Sequence, residues 1–395
     1  MKKILFLILV LSLISGCGKQ SKGDRKSDSV RNINIDLSSN PQKIELTDIY
    51  KNPSFIRLET NSSCLIKGNP NKVEIYKNRI YVYDSSNQGK LFCFDMQGKF
   101  LFQISERGNG PKEYVFLSDF VIDKENNCLW LGDDARKILK FDLDGNFIER
   151  YTTEFSINNL ALLDEKENVM AIRLGYYKGK NYSFVIYSNK DKKILFNKSS
   201  SYINIIRSIG SNTFSQSRRN ILYTEPFNDT VFTVTKSGME PYCVVDFGKH
   251  AFPKKELENN QLANIVTLLL NPDNKYAGLI SKAQETSKFL FFGYDFSGKS
   301  RVALHSFESD KTININEISF MGKSFEISKN FFLIQQDEKS ISFLPPHLYA
   351  ENETFPNENR QNYGSYSDIE ELLPHLREDD NVILVIGELN VDGLF

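Results

Sequence analysis

The chain has 395 residues, of which 40% are hydrophobic and 25% charged, and its formal net charge is −1. That size and apolar share suit a folded globular protein and exclude a disordered one. The near balance of charge excludes a nucleic-acid binder, which needs a basic face to displace counterions. Thirty Phe and 18 Tyr against a single Trp and 12 Pro favour strands over helices.

The N-terminus carries an address. Met1-Lys2-Lys3 is basic, and Ile4 to Ile14 is apolar apart from Ser12. Such a run serves a signal peptide but is too short to cross a bilayer, which takes about 20 residues. It ends in Leu13-Ile14-Ser15-Gly16-Cys17, which resembles the lipobox of bacterial lipoproteins. The resemblance implies cleavage between Gly16 and Cys17, removal of residues 1–16, and acylation of Cys17 by diacylglycerol and a further fatty chain such as palmitate. Residues 17–40 are polar and read as a flexible tether. An acidic cluster after the Cys would resemble the surface-export signal of lipoproteins in Gram-negative gut bacteria. Gly18-Lys19-Gln20-Ser21-Lys22-Gly23-Asp24 departs from it, so the expected place is the outer membrane, facing the periplasm.

Residues 41–395 read as one repeat-built domain. Ile80–Asp84 and Lys90–Phe100 recur as Leu129–Asp133 and Lys137–Phe147. Asp95 and Asp142, Gly98 and Gly145, and Phe100 and Phe147 are each 47 positions apart. A period in the forties, read as strand, Asp turn, strand, Gly turn, strand, is the mark of a β-propeller. Weaker series follow at 169–197, 221–247 and 288–316. Length divided by period allows six or seven blades. Pro253 to Leu270 reads as a helix with Leu257, Leu262, Ile265 and Leu269 on one stripe, inside an insertion placed at 253–282. Ser367-Asp368-Ile369-Glu370 reads as a capping box, and Val382–Ile386 as a buried strand that closes the ring.

Four motifs resemble one family. Phe55-Ile-Arg-Leu-Glu-Thr60 resembles its opening strand, Gly108-Asn-Gly-Pro-Lys-Glu-Tyr114 its Gly-x-Gly-Pro-x-Glu-Tyr loop, Asn228–Phe232 with Tyr242–Gly248 its fifth-blade run, and Val382–Leu389 its closing strand. These are similar to the six-bladed β-propeller lipoproteins of Gram-negative gut bacteria, propellers related in shape to the NHL type. The resemblance implies six four-stranded antiparallel blades with a short helical insertion and a C-terminal closing strand. The family has Asn-Pro where this chain has Asn381-Val382.

No residues announce chemistry. Gly108-Asn-Gly-Pro111 lacks the Lys-Ser/Thr of a phosphate loop, and reads as a turn between blades whose glycines take positive φ. Asp142-Leu-Asp-Gly-Asn146 is flanked by strands and reads as a turn rather than a calcium loop. Asp84 and Asp133 at equivalent strand ends read as hairpin caps, with a channel metal ring as the rival. His250, His305, His347 and His375 are scattered and read as loop or surface residues. Tyr176 and Tyr177 read as rings wedged between blades, with an exposed stacking pair as the alternative. Cys64, Cys93, Cys128 and Cys243 show no zinc spacing; Cys93 and Cys243 read as buried thiols, and spacing leaves a disulfide open. No catalytic or metal residue and no cofactor is nominated, and the ligand-binding residues are unknown. The expected role is a lipid-anchored binding or scaffolding module for an envelope protein, peptide or glycan. The alternative is a metal-dependent, lactonase-like hydrolase or lyase with an ion in the channel.

Overall fold

The protein is seen in a computed structural model, which describes residues 30–202, 214–216, 221–259, 262–329, 331–334, 339–350 and 363–395. The expected signal peptide, the cleavage site at Gly16 and Cys17, and the lipidation of Cys17 lie outside these residues.

Six sheets form the blades of a propeller, each with four antiparallel core strands. Blade 1 comprises Lys72–Tyr76, Arg79–Asp84, Lys90–Asp95 and Phe100–Ile104, from the channel outward. Blade 2 comprises Leu117–Asp123, Cys128–Asp133, Lys137–Asp142 and Phe147–Thr152. Blade 3 spans Phe155–Asp164 to Lys193–Ser199, and blade 4 spans Phe214–Gln216 to Gly238–Asp246. Blade 5 runs from Ala277–Glu285 to Thr312–Phe320. Blade 6 joins both ends of the chain: Leu333–Ile334, Lys339–Leu344, Ile383–Leu389 and Tyr50–Arg57, with the short Gly364–Tyr366 paired at its outer edge.

The strands bury both faces, so their sequences lose simple alternation. In Cys128–Asp133, Leu129 and Leu131 pack toward blade 1, while Cys128 and Trp130 pack toward blade 3. In Arg79–Asp84, Ile80 and Val82 face blade 6, and Tyr81 and Tyr83 face blade 2. The result is six wedge-shaped apolar cores, one between each pair of neighbours. No blade is stable alone, because each sheet is covered only by the next. The four thiols expected to be free or paired are all free and buried.

Because strands alternate in direction, every blade-to-blade connection lies on one face of the disc. The segment between the second and third strands of blade 6 lies there too. The connection 105–116 therefore lies on this face, with the described parts of 247–276 and 345–382.

Three expectations need correction. The tether does not extend to residue 40, nor does the domain begin at 41. Arg31–Asn34 is a strand parallel to the outer strand of blade 4, and Gln42–Glu45 is parallel to that of blade 5. With Tyr50–Arg57, residues 31–57 form a belt around three blades. Ile33, Ile35 and Leu37 fill the core between blades 4 and 5, and Ile44, Leu46 and Ile49 that between blades 5 and 6. Each such side chain contributes about 1.5–3 kcal/mol by leaving water. The insertion ends at residue 276 rather than 282, since Ala277–Glu285 is the inner strand of blade 5. Its helical part is Lys254–Asn259 and Leu262–Leu270, with Leu257, Ile265 and Leu269 buried as expected. Asp368, not Ser367, caps the helix Ile369–Leu372, its carboxylate accepting from the Glu370 amide at 2.9 Å.

Ring closure explains the opening motif. Ile383–Leu389 pairs antiparallel with Tyr50–Arg57, as a closing strand should. Arg57 donates through Nε and Nη2 to Asp380 Oδ2 at 3.0 and 2.7 Å, with both side chains buried. Asn381, just before the closing strand, holds the joint through four hydrogen bonds. Its Oδ1 accepts from Ile66 N, its Nδ2 donates to Glu59 O and Cys64 O, and its amide donates to Thr60 Oγ1.

Candidate functional site

The inner strands of all six blades line a central channel of about 110 Å³. Its polar members are Lys72 and Glu74 from blade 1, Asp119 and Lys124 from blade 2, Glu165 beyond the inner strand of blade 3, Ser215 from blade 4, and Lys282 and Gln284 from blade 5. Apolar walls come from Leu160, Leu162, Phe214 and Leu333, among others. Inner strands start at the long-connection face, so Lys72 and Asp119 sit toward that mouth. Lys124 and Glu165 flank turns at the other.

One ion network dominates the first mouth. Lys72 Nζ lies 3.2 Å from Asp119 Oδ1 and 3.4 Å from Glu74 Oε1, and donates to Phe120 O at 2.5 Å. Both Asp119 oxygens are occupied, since Oδ1 also accepts from Phe120 N and Oδ2 from Leu160 N. Burial opposes the charge on Lys72, but Asp119 and Glu74 outweigh it and hold its pKa above the ordinary value. Lys282 is different. Among the described residues its amine has one partner, the carbonyl of Asn71 at 2.9 Å. Burial, then the neighbouring charge of Lys72, push it down to about 7, against the weaker pull of Asp119 and Glu74.

The backbone at Lys282 is also unusual. The strand Ala277–Glu285 loses register with its neighbour twice, between Gly278 and Ser281 and between Ser281 and Gln284. Leu279 and Lys282 take φ of 55° and 51°, left-handed values that cost a side-chain-bearing residue energy. Bulges of this kind re-aim side chains, here the amine into the channel. Among the described residues, Ser215 Oγ on the channel wall and Ser281 Oγ beside Lys282 are buried without a hydrogen-bond partner.

The residues singled out in the sequence go elsewhere. Asp84 accepts from Ser86 N and Oγ and from Lys67 N, and Asp133 from Val115, Phe116 and Ala135 amides, so both tie turns to the preceding connection. Asp142 accepts from the amides of Asp144 and Asn146, the turn role expected. In the Gly-Pro loop Gly108 has φ 148°, but Gly110 does not take positive φ. Its missing side chain instead makes room for Glu113, whose Oε2 accepts from Gly110 N at 2.8 Å. Tyr114 then plugs the gap between blades 1 and 2, its hydroxyl donating to Gly89 O at 2.7 Å. Tyr177 packs edge-on against Phe155 and Tyr182, whereas Tyr176 is half exposed.

His305 is buried, not a surface residue as expected: it faces inward on a strand and Nδ1 lies 3.0 Å from Thr312 Oγ1. His347 and His375 are exposed, and His250 is partly covered. Among the described residues no three His, Cys, Asp or Glu side chains gather as metal ligands would.

Lys72, Asp119 and Lys282 escaped the sequence reading, which found the outer three strands of blades 1 to 5 and the outer two of blade 6 but passed over every inner one. Their signal was a charge inside an apolar strand: Asp119 within Leu117–Ile122, and Lys282 between Ile280 and Ala283.

A profile of a domain of unknown function, DUF4934, matches residues 30–388, beginning where the belt begins. Among solved structures, a Bacteroides fragilis protein assigned as exported aligns with a TM-score of 0.67 at 21% identity, over 91% of this chain and 99% of its own. A Bacteroides vulgatus member of the DUF4221 family aligns at 0.46 and 10% identity, over 80% and 96%. At these identities the likeness concerns the fold. No curated protein matches the chain.

Proposed function

The chain belongs to the DUF4934 family, and from that premise we propose that it is an exported lipoprotein, held at the outer membrane by acylated Cys17. Its propeller is a binding module for an envelope protein, peptide or glycan. The channel carries the binding reading. It combines a cavity, a buried ion network and a strained inner strand. The lipobox supports the anchor, and the assignment of the Bacteroides fragilis neighbour as exported agrees with the address. The metal-dependent alternative has two amines against it, because Lys72 and Lys282 project where a channel cation would sit.

Two measurements test this reading. The wild-type chain should take up a palmitate analogue and pellet with outer membranes, and Cys17→Ala should abolish both. An unlabelled, soluble wild type overturns the anchor. A photo-reactive residue in place of exposed Phe116, on the long-connection face, should trap a reproducible envelope component. Repeated failure to trap one counts against the binding module.

A further inference from the structure

We propose that the channel binds a small monocarboxylate, held by the amine of Lys282 at the long-connection mouth. This deepens the reading of the channel as a binding site by naming its ligand class.

The argument starts from unmet demand. An ammonium group has three donors and no acceptor. Lys72 meets its need with Asp119, Glu74 and the Phe120 carbonyl. Lys282 has the Asn71 carbonyl, and the Asp119 oxygens are already committed. A carboxylate placed beside Lys282 would add two acceptor atoms to the one carbonyl that the described residues supply. Ser215 on the wall has a hydroxyl with no partner among the described residues, able to donate to such a ligand. The strain stored at Leu279 and Lys282 fits a residue held for function, since relaxed backbone would serve packing better.

Charge sets the ligand's valence. The charged groups acting on Lys282 are Lys72 and Glu74 from blade 1 and Asp119 from blade 2; Lys124 and Glu165 line the channel toward the opposite mouth, and Glu285 of its own strand is bonded by the Tyr242 hydroxyl. Blade 4 presents Phe214 and Ser215, and blade 6 presents Leu333. The carboxylates already match or exceed the cations, so a dianion such as phosphate meets repulsion. A single negative charge is admitted when Lys282 gains a proton. That proton comes from solvent, so binding and protonation are linked. The cavity of about 110 Å³ takes a group the size of acetate or lactate, or the acidic end of a longer ligand.

The experiment uses the whole chain with sodium acetate, acetamide and inorganic phosphate at constant ionic strength, read by calorimetry and thermal shift. Acetate should bind with uptake of a proton, and its affinity should fall about tenfold per pH unit above 7. Acetamide should not bind, and phosphate should bind more weakly than acetate. Lys282→Met should abolish acetate binding while raising thermal stability at pH 7, because it removes a buried amine whose charging is opposed by its surroundings. Reductive methylation with carbon-13 formaldehyde should give one dimethyl-lysine signal titrating near 7, shifted upward by acetate. The proposal is overturned if acetate does not bind, if acetamide matches it, if affinity is flat from pH 6 to 8, or if Lys282→Met still binds acetate. In those cases capture of an envelope component through position 116 would leave the broader binding reading standing.

Discussion

At the scale of single residues, the fold depends on a few buried polar side chains whose partners are far apart in sequence. Arg57 and Asp380 are 323 positions apart and bind each other in the closing blade. A buried pair contributes little over apolar replacements, but losing one partner strands the other. Asp380→Ala should therefore lower the free energy of unfolding by about 3–5 kcal/mol in urea titration. Replacing both Arg57 and Asp380 by Met and Leu should recover most of that loss. A double variant no better than the single one would show that the ion pair itself, rather than packing, holds the closure. Gly98 belongs to the same joint. Its φ is 83°, and a Cβ there would lie 2.2 Å from the Arg57 carbonyl. The equivalent Gly145 leans on Phe102 of blade 1 in the same way. The 47-residue spacing was visible in the sequence, but the reason for glycine was not: each turn needs both a left-handed backbone and a bare surface against the blade before it.

At the scale of elements, the inner and outermost strands are what sequence reasoning read least well. The middle strands announce themselves by apolar runs such as Ile80–Tyr83 and Leu129–Leu131, because both faces are buried. The inner strands mix charge with apolar residues, since one side meets a polar channel. The belt strand Arg31–Asn34 is short and polar except for Ile33, so it reads as tether. Its burial depends on partners over 200 positions away in blade 4. Truncation separates the two roles. A chain starting at residue 30 should melt like the mature protein. One starting at residue 41 loses Ile33, Ile35 and Leu37 from the core between blades 4 and 5. It should fall by several kcal/mol, on the order of 1.5–3 for each buried side chain lost, as read by thermal and urea unfolding. Equal melting of the two would mean that the belt is ornamental.

At the scale of the whole molecule, the belt gives the disc a direction. Arg31–Asn34 runs parallel to the outer strand of blade 4 and so toward the long-connection face. Val30 therefore lies on the side of the opposite face. Thirteen residue steps lead from Cys17 to Val30, at most about 45 Å of chain. An anchor at Cys17 would thus turn the short-turn face to the membrane and present the channel mouth with Lys72 and Lys282 to the periplasm. A photo-reactive group at exposed Gln97, in a turn of the short-turn face, should label outer-membrane lipid more strongly than one at Phe116. The reverse pattern would refute the orientation. The sequence by itself determined the strand-rich class, the repeat period, the turn residues and the closing strand. These are local signals, written by propensity and spacing within a few dozen residues. Only the tertiary structure decided which charges meet in the channel, where the belt lies and which face looks outward. Each of those depends on strands from different blades converging on one axis or one edge, and no periodicity along a single strand records its distant neighbours.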